Sequence, residues 1–184
     1  MAIVPNCAAT RHIDFTLDGS GPATFTPPNL DHWPELVQDA VQTRRVNIET
    51  LTADDVAQLK PGDTLLLSGR VLTGRDAAHK RLQDMYARGE PLPDGLDFRG
   101  RFIYYVGPVD PVGDEVVGPA GPTTATRMDK FTRTMLEQTG LQGMVGKAER
   151  GPMAIEAIRD NRAVYLMAVG GAAYLVAQAI KKSR

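Results

Sequence analysis

Three short stretches combine cations, hydroxyls and glycines in a way that suits the capture of a small anion. They are Thr73-Gly74-Arg75-Asp76, Gly121-Pro122-Thr123-Thr124-Ala125-Thr126-Arg127 and Gly170-Gly171-Ala172-Ala173. Each follows an apolar run and opens a helical pattern, so each reads as a strand-to-helix junction. There the free backbone N–H groups and the positive end of the helix dipole meet. An arginine in a first helical turn opposes that dipole, which prefers Asp or Glu. Arg75 and Arg127 therefore breach a local rule, and such breaches tend to fall at functional sites. A small dianion would be the compensating partner, because the guanidinium fork matches a carboxylate bidentately. Lys147, after the short run Met144–Val145, adds a third cation. On the residues alone this is a pocket for a dicarboxylate or a phosphate. A set of exposed or salt-bridged charges is the bland alternative.

Other chemistries lack their residues. Gly146-Lys147 is not a P-loop, since Leu141 stands where the first glycine belongs and Ala148 where Ser or Thr belongs. No G-x-G-x-x-G follows a strand pattern, and nothing resembles a Ser-His-Asp or Cys-His array. Cys7 is the only cysteine, which excludes an internal disulfide and falls short of the thiolates an iron–sulfur cluster takes; a buried or idle thiol is expected. His12, His32 and His79 lack zinc-site spacing, so no metal site is expected. The 21 basic and 22 acidic residues give a formal net charge of −1, with no long-range field for nucleic acid or an anionic membrane. No apolar run reaches transmembrane length and no export signal is visible, so a soluble, cytoplasmic protein is expected.

The elements that must hold these junctions follow from periodicity, and with 42% hydrophobic residues the chain can bury a core. Alternation at Ile13, Phe15 and Leu17, with a turn at Asp18-Gly19-Ser20-Gly21, predicts a hairpin over 11–26. Residues 29–45 read as a connector. Thr52-Ala53-Asp54-Asp55 is a capping box with Asp in place of Glu. Thr64–Val71 predicts one nearly continuous apolar strand, followed by a helix over about 75–88 with Ala78, Leu82, Met85 and Tyr86 inward and Gly89 beyond its end. Phe102–Val106 is the next strand, and 107–122 a Gly/Pro-rich loop. A helix with Met128, Phe131, Met135 and Leu136 inward ends at Gly140. After Met144–Val145, Pro152 starts a helix as an N1 proline; Val164–Val169 and a final helix over Ala172–Lys182 complete the set. Strands alternating with helices predict an α/β fold, a layered sheet with helices following strands.

Four ordered motifs closely resemble the C-terminal domain of class I fumarate hydratases and, in general pattern, the related β subunit of L(+)-tartrate dehydratase. They are Thr73-Gly74-Arg75-Asp76-Ala77-Ala78-His79-Lys80-Arg81, Ile103-Tyr104-Tyr105-Val106-Gly107-Pro108, Gly121–Asp129 and Val169-Gly170-Gly171-Ala172-Ala173. Asn6–His12 is similar to the segment leading into this domain in the single-chain enzymes. The resemblance implies a swivelling β/β/α domain over 51–184, preceded over 1–50 by a hairpin and connector leading in from an N-terminal cluster domain. It implies reversible hydration of fumarate to L-malate, a tricarboxylic acid cycle step, on a [4Fe–4S] cluster bound by that other domain and not by this chain. The isolated chain would then be inactive, and the complete enzyme a homodimer. By the same resemblance Arg75, Arg127 and Lys147 hold the substrate carboxylates, Thr123 stands at a proton-transfer position, and Asp76 and Thr124 orient the arginine and the loop. His79 lines the cleft or packs. A hydratase for tartrate or mesaconate, or a non-catalytic anion-binding module, is the alternative.

Overall fold

The computed structural model describes residues 14–16, 18–21, 24–26, 43–93 and 95–184. The predicted hairpin is present as β1 (Asp14–Thr16) and β2 (Thr24–Thr26), antiparallel with Phe15 opposite Phe25. In its turn the Asp18 carboxylate accepts the Ser20 N–H at 2.9 Å. Cys7, His12, His32 and most of the predicted connector lie outside the described residues.

A strand not read from the sequence, β3 (Arg44–Asn47), follows. Its Arg-Arg-Val-Asn composition carries neither alternation nor β-branched enrichment, and only Val46 is buried. The helix α1 (Ala53–Ala57) starts as Thr52 predicts: the Asp55 N–H donates to the Thr52 hydroxyl at 3.1 Å and the Thr52 N–H to the Asp55 carboxylate at 2.9 Å.

The strand predicted over Thr64–Val71 is shorter, ending at Ser68, and a second short strand in a different sheet begins just beyond the predicted range. β4 (Leu65–Ser68) pairs in parallel with β3, while β5 (Leu72–Thr73) joins the main sheet. The break is at Gly69, whose φ of 112° is open only to glycine and where a Cβ would fall 2.8 Å from Asn47 Oδ1. The apolar run is also less buried than its continuity implied, with Leu66 50% exposed.

The main sheet is parallel, so each step between strands needs a crossover. The helix α2 (Asp76–Ala87) leads to β6 (Phe102–Tyr104), and α3 (Asp129–Thr139), entered through a 3-10 helix at Ala125–Met128, leads to β7 (Gly143–Gly146). Then α4 (Pro152–Asp160) leads to β8 (Val164–Met167), and α5 (Ala173–Ala179) follows, shorter than predicted because Ile180 is extended. The sheet order is β5-β6-β7-β8. Gly140 closes α3 in the left-handed conformation, and Pro152 sits in the first turn of α4 as predicted.

Alternation along β6 feeds two cores. Ile103 and Tyr105 join Met144 and the inward residues of α2, α3 and α4, including Leu82, Phe131, Met135, Leu136 and Ala157. Tyr104 and Val106 face the other way, against Ala120, Val145 and, from α5, Val176. On that face the fully buried Phe102 ring occupies the space a Cβ at Gly143 would need. Of the α2 face read from periodicity, Leu82 is buried and Met85 and Tyr86 are half-buried. Ala78, however, is exposed and His79 takes the inner place. Each large apolar side chain buried here contributes about 1.5–3 kcal/mol.

Candidate anion-binding site

In a parallel sheet every strand delivers its C-terminal end to the same side, so all three junctions open there. Arg75 is the extended N-cap residue of α2 and makes no side-chain capping bond. Its guanidinium lies against the backbone of Gly107, where a Cβ would come within 2.7 Å of Cζ. A side chain at 107 would push the end of the Arg75 side chain away from this position.

The second junction meets the first through an ion pair. Arg127 Nη2 lies 2.7 Å from Asp76 Oδ2, and Nε donates to Asp76 Oδ1 at 3.1 Å. The Arg127 side chain is 54% exposed, so this fork–fork pair adds little stability and chiefly fixes geometry. Arg127 lies in the 3-10 helix before α3, not in its first turn, and Asp76 offsets its charge.

Lys147 is tied to the Thr123 segment by backbone: its N–H donates to Thr123 O at 3.0 Å, and Ala125 N–H donates to Lys147 O at 2.8 Å. Thr124 and Lys147 form an isolated parallel bridge. Thr123 N–H in turn donates to Tyr105 O at 2.6 Å. The Lys147 side chain passes Gly170, where a Cβ would sit 3.4 Å from Cδ. Ala173, at the start of α5, accepts the Ala120 N–H at 3.0 Å. Thus Arg75, Asp76, Thr123, Thr124, Arg127 and Lys147 all border one end of the sheet. Neither Arg75 nor Lys147 forms an ion pair among the described residues.

Behind this surface lies a buried polar cluster, and of the two roles the resemblance implied for His79 it takes the packing one. His79 packs in the core: its Nδ1–H donates to Arg75 O at 2.9 Å, and its ring meets Tyr105 edge-on at 5.3 Å. Burial pulls its pKa below the usual 6.5, outweighing the bond to Arg75 O, so the ring is neutral. Burial also pushes the Tyr105 phenol up to about 12. Arg150, with its side chain 2% exposed, pairs with Asp129 at 2.7 Å between Nε and Oδ1. A charge immediately before the Pro152 helix was its only sequence signal.

A family model described as fumarase C-terminus matches residues 19–184. The chain belongs to the fumarase C-terminal domain family. Among relatives of this family, a putative class I fumarate hydratase of Geobacillus stearothermophilus is 35% identical over 134 residues, covering 71% of this chain and 25% of that protein. A putative L(+)-tartrate dehydratase β subunit of Methanocaldococcus jannaschii is 36% identical over 134 residues, covering 72% and 68%. The aerobic class I fumarate hydratase of Salmonella typhimurium is 30% identical over 182 residues, covering 94% and 31%. The fumarase C-terminal domain seen here therefore spans about a quarter to a third of such fumarate hydratases. No helix among its described residues is long and apolar enough to cross a membrane.

Proposed function

We propose that this chain is the substrate-clamping part of an iron–sulfur hydro-lyase that reversibly hydrates fumarate to L-malate. What supports this most is that Arg75 and Lys147, two cations without an ion pair among the described residues, border the same end of the sheet as the Asp76-braced Arg127. A dicarboxylate has two ends to hold, and the Arg75 guanidinium at the start of α2 and the Lys147 ammonium just after β7 supply charge-assisted donors for both. Asp76 keeps the Arg127 fork aimed, and Gly107 leaves room for the Arg75 guanidinium beside the chain. Thr123, held between Tyr105 O and Lys147 N, would offer its hydroxyl for proton transfer. A threonine hydroxyl is a weak base, and the neighbouring cations are what would lower its pKa.

A [4Fe–4S] cluster belongs to this reading, but these residues do not fit one. No group of three His, Cys, Asp or Glu among the described residues could hold a metal ion, and Cys7 is the chain's single thiol. The cluster is therefore assigned to a separate cysteine-bearing domain or subunit. This chain's own part is limited to binding, orientation and proton movement.

A second reading, L(+)-tartrate as substrate, is favoured by the larger share covered of a tartrate dehydratase β subunit, 68%, than of a class I fumarate hydratase, 25%. One assay tests both. The purified chain should be colourless and inactive; combined with a cluster-bearing partner it should hydrate fumarate faster than it consumes L(+)-tartrate. Activity on tartrate alone would select the second reading, and activity on neither would end both.

A further inference from the structure

From the geometry around Arg150 we infer that it is a positioning residue: a buried latch that fixes the Lys147 loop against the Arg127 turn. Arg150 touches both sides at once. Toward the Arg127 turn, Nε donates to Asp129 Oδ1 at 2.7 Å and Nη2 donates to the Thr132 hydroxyl, which itself donates to Met128 O at 3.0 Å. Asp129 stands two residues after Arg127, and its second oxygen accepts Gly151 N–H at 2.7 Å. Toward the Lys147 loop, the guanidinium lies 5.0 Å from the Tyr165 ring centroid and 5.6 Å from that of Tyr105. The Tyr165 hydroxyl donates to Ala148 O at 2.7 Å, one residue beyond Lys147. Ala148 has φ 63°, a conformation costly for alanine that persists only where surroundings impose it.

A buried ion pair is a poor device for stability, since desolvating two charges offsets most of their attraction. It is a good device for register. Arg150 is gripped on three sides, and loss of the grip would let the loop and the turn shift independently. Arg150 and Asp129 touch no candidate ligand-binding side chain, so their effect on function runs through the placement of Lys147 and Arg127. That consequence rests on the clamp reading above; the latch itself does not.

Two readouts keep these apart. In the full-length protein, Asp129→Asn and Arg150→Met should speed hydrogen exchange at the Ala125 and Lys147 amides, which join the two segments, by tenfold or more. Amides within α2 should keep wild-type protection. In the assembled enzyme the same variants should raise KM for the dicarboxylate about tenfold with kcat per active site within threefold, as loss of ground-state and transition-state binding together requires. Arg150→Lys, which retains charge without the fork, and Tyr165→Phe, which removes only one hydroxyl, should give smaller shifts of the same pattern. They serve as the test where Arg150→Met does not fold. Equal loss of protection throughout the chain, or unchanged exchange at both amides, overturns the latch. Selective exchange with an unchanged KM overturns its role in the clamp. A wild-type enzyme without hydratase activity would sink the clamp reading while the exchange result still decided the latch.

Discussion

The two ends of the main sheet are both rich in arginine, and they use it in opposite ways. At the N-terminal end, a cavity of about 770 Å³ is lined by Arg70, Arg99, Arg101 and Arg162. It opens where α3 and α4 finish, at Gly140 and Asn161. Helix C-termini carry partial negative charge, so cations are welcome there without a ligand. Arg70 is also paired with Glu49 at 2.5 Å, and Arg99 with Asp97 at 3.2 Å. At the C-terminal end Arg75 is the N-cap residue of α2, where the dipole opposes it, and Arg127 stands in the 3-10 turn that leads into α3. There Arg127 needs Asp76, while Arg75 and Lys147 are left without a counter-ion among the described residues. A cavity of that volume draws attention to the first end. The sign of the local field picks the second.

The largest expected effect breaks or upholds that contrast directly. In the assembled enzyme Arg75→Ala and Lys147→Ala should each lose about 3 kcal/mol of transition-state binding, the upper range for a charge-assisted bond, or roughly a hundredfold in kcat/KM. Arg101→Ala and Arg162→Ala should stay within about twofold. Equal losses at both ends would dissolve the distinction.

Next in size is Arg127→Lys, which keeps charge but loses the fork. About 1.5 kcal/mol, or tenfold in kcat/KM, is expected, with melting nearly unchanged because an exposed pair contributes about 1 kcal/mol at most. Wild-type kcat/KM would return Arg127 to the class of surface charges.

A pH titration sharpens the contrast from below the site. His79 has its folded pKa beneath 6.5, so the unfolded chain binds the extra proton first as pH falls. Its contribution is therefore fully present above pH 6.5 and is lost as pH drops toward the folded value. The slope is at most about 1.4 kcal/mol per pH unit. Chemical denaturation of His79→Gln across that window should be flatter than wild type; parallel curves would refute the assignment.

The smallest effect concerns two non-glycine residues held at positive φ among the described residues, one at each end. Arg162 has φ 51° and Ala148 φ 63°. Relief of left-handed strain, less the added freedom of the unfolded chain, should make Arg162→Gly and Ala148→Gly each more stable by about 0.5 kcal/mol. Differential scanning calorimetry would show a rise of a degree or two, and a fall in either would show that the side chain holds more than it strains.

Helix boundaries were legible because their signals are local: the Thr52 hydroxyl, Pro152 and Gly140 act within one turn. So was the end of the sheet at which Arg75, Asp76, Arg127, Thr123 and Lys147 stand, because a parallel sheet sends every strand-to-helix junction to one side. The break at Gly69 was hidden, since an apolar run records burial propensity and not where a strand ends or that a second one, Leu72–Thr73, joins another sheet. β3 was hidden by polar residues that pair through backbone alone. Arg150 and Asp129 were missed for a different reason. Nothing in a sequence marks a charge as buried; that depends on Tyr105, Thr132 and Tyr165 closing around it from three separate elements.

The Phe102 ring in the space above Gly143 has a consequence for how this sheet can change over generations. The two positions are not free to vary in either order. Any side chain gained at 143 first collides with a ring that has no exposed side to retreat to, whereas shrinking Phe102 first leaves a hole that a later Gly143→Ala can partly fill. Drift along this strand pair is therefore one-directional. A collection of viable double variants should contain the smaller residue at 102 whenever 143 is not glycine.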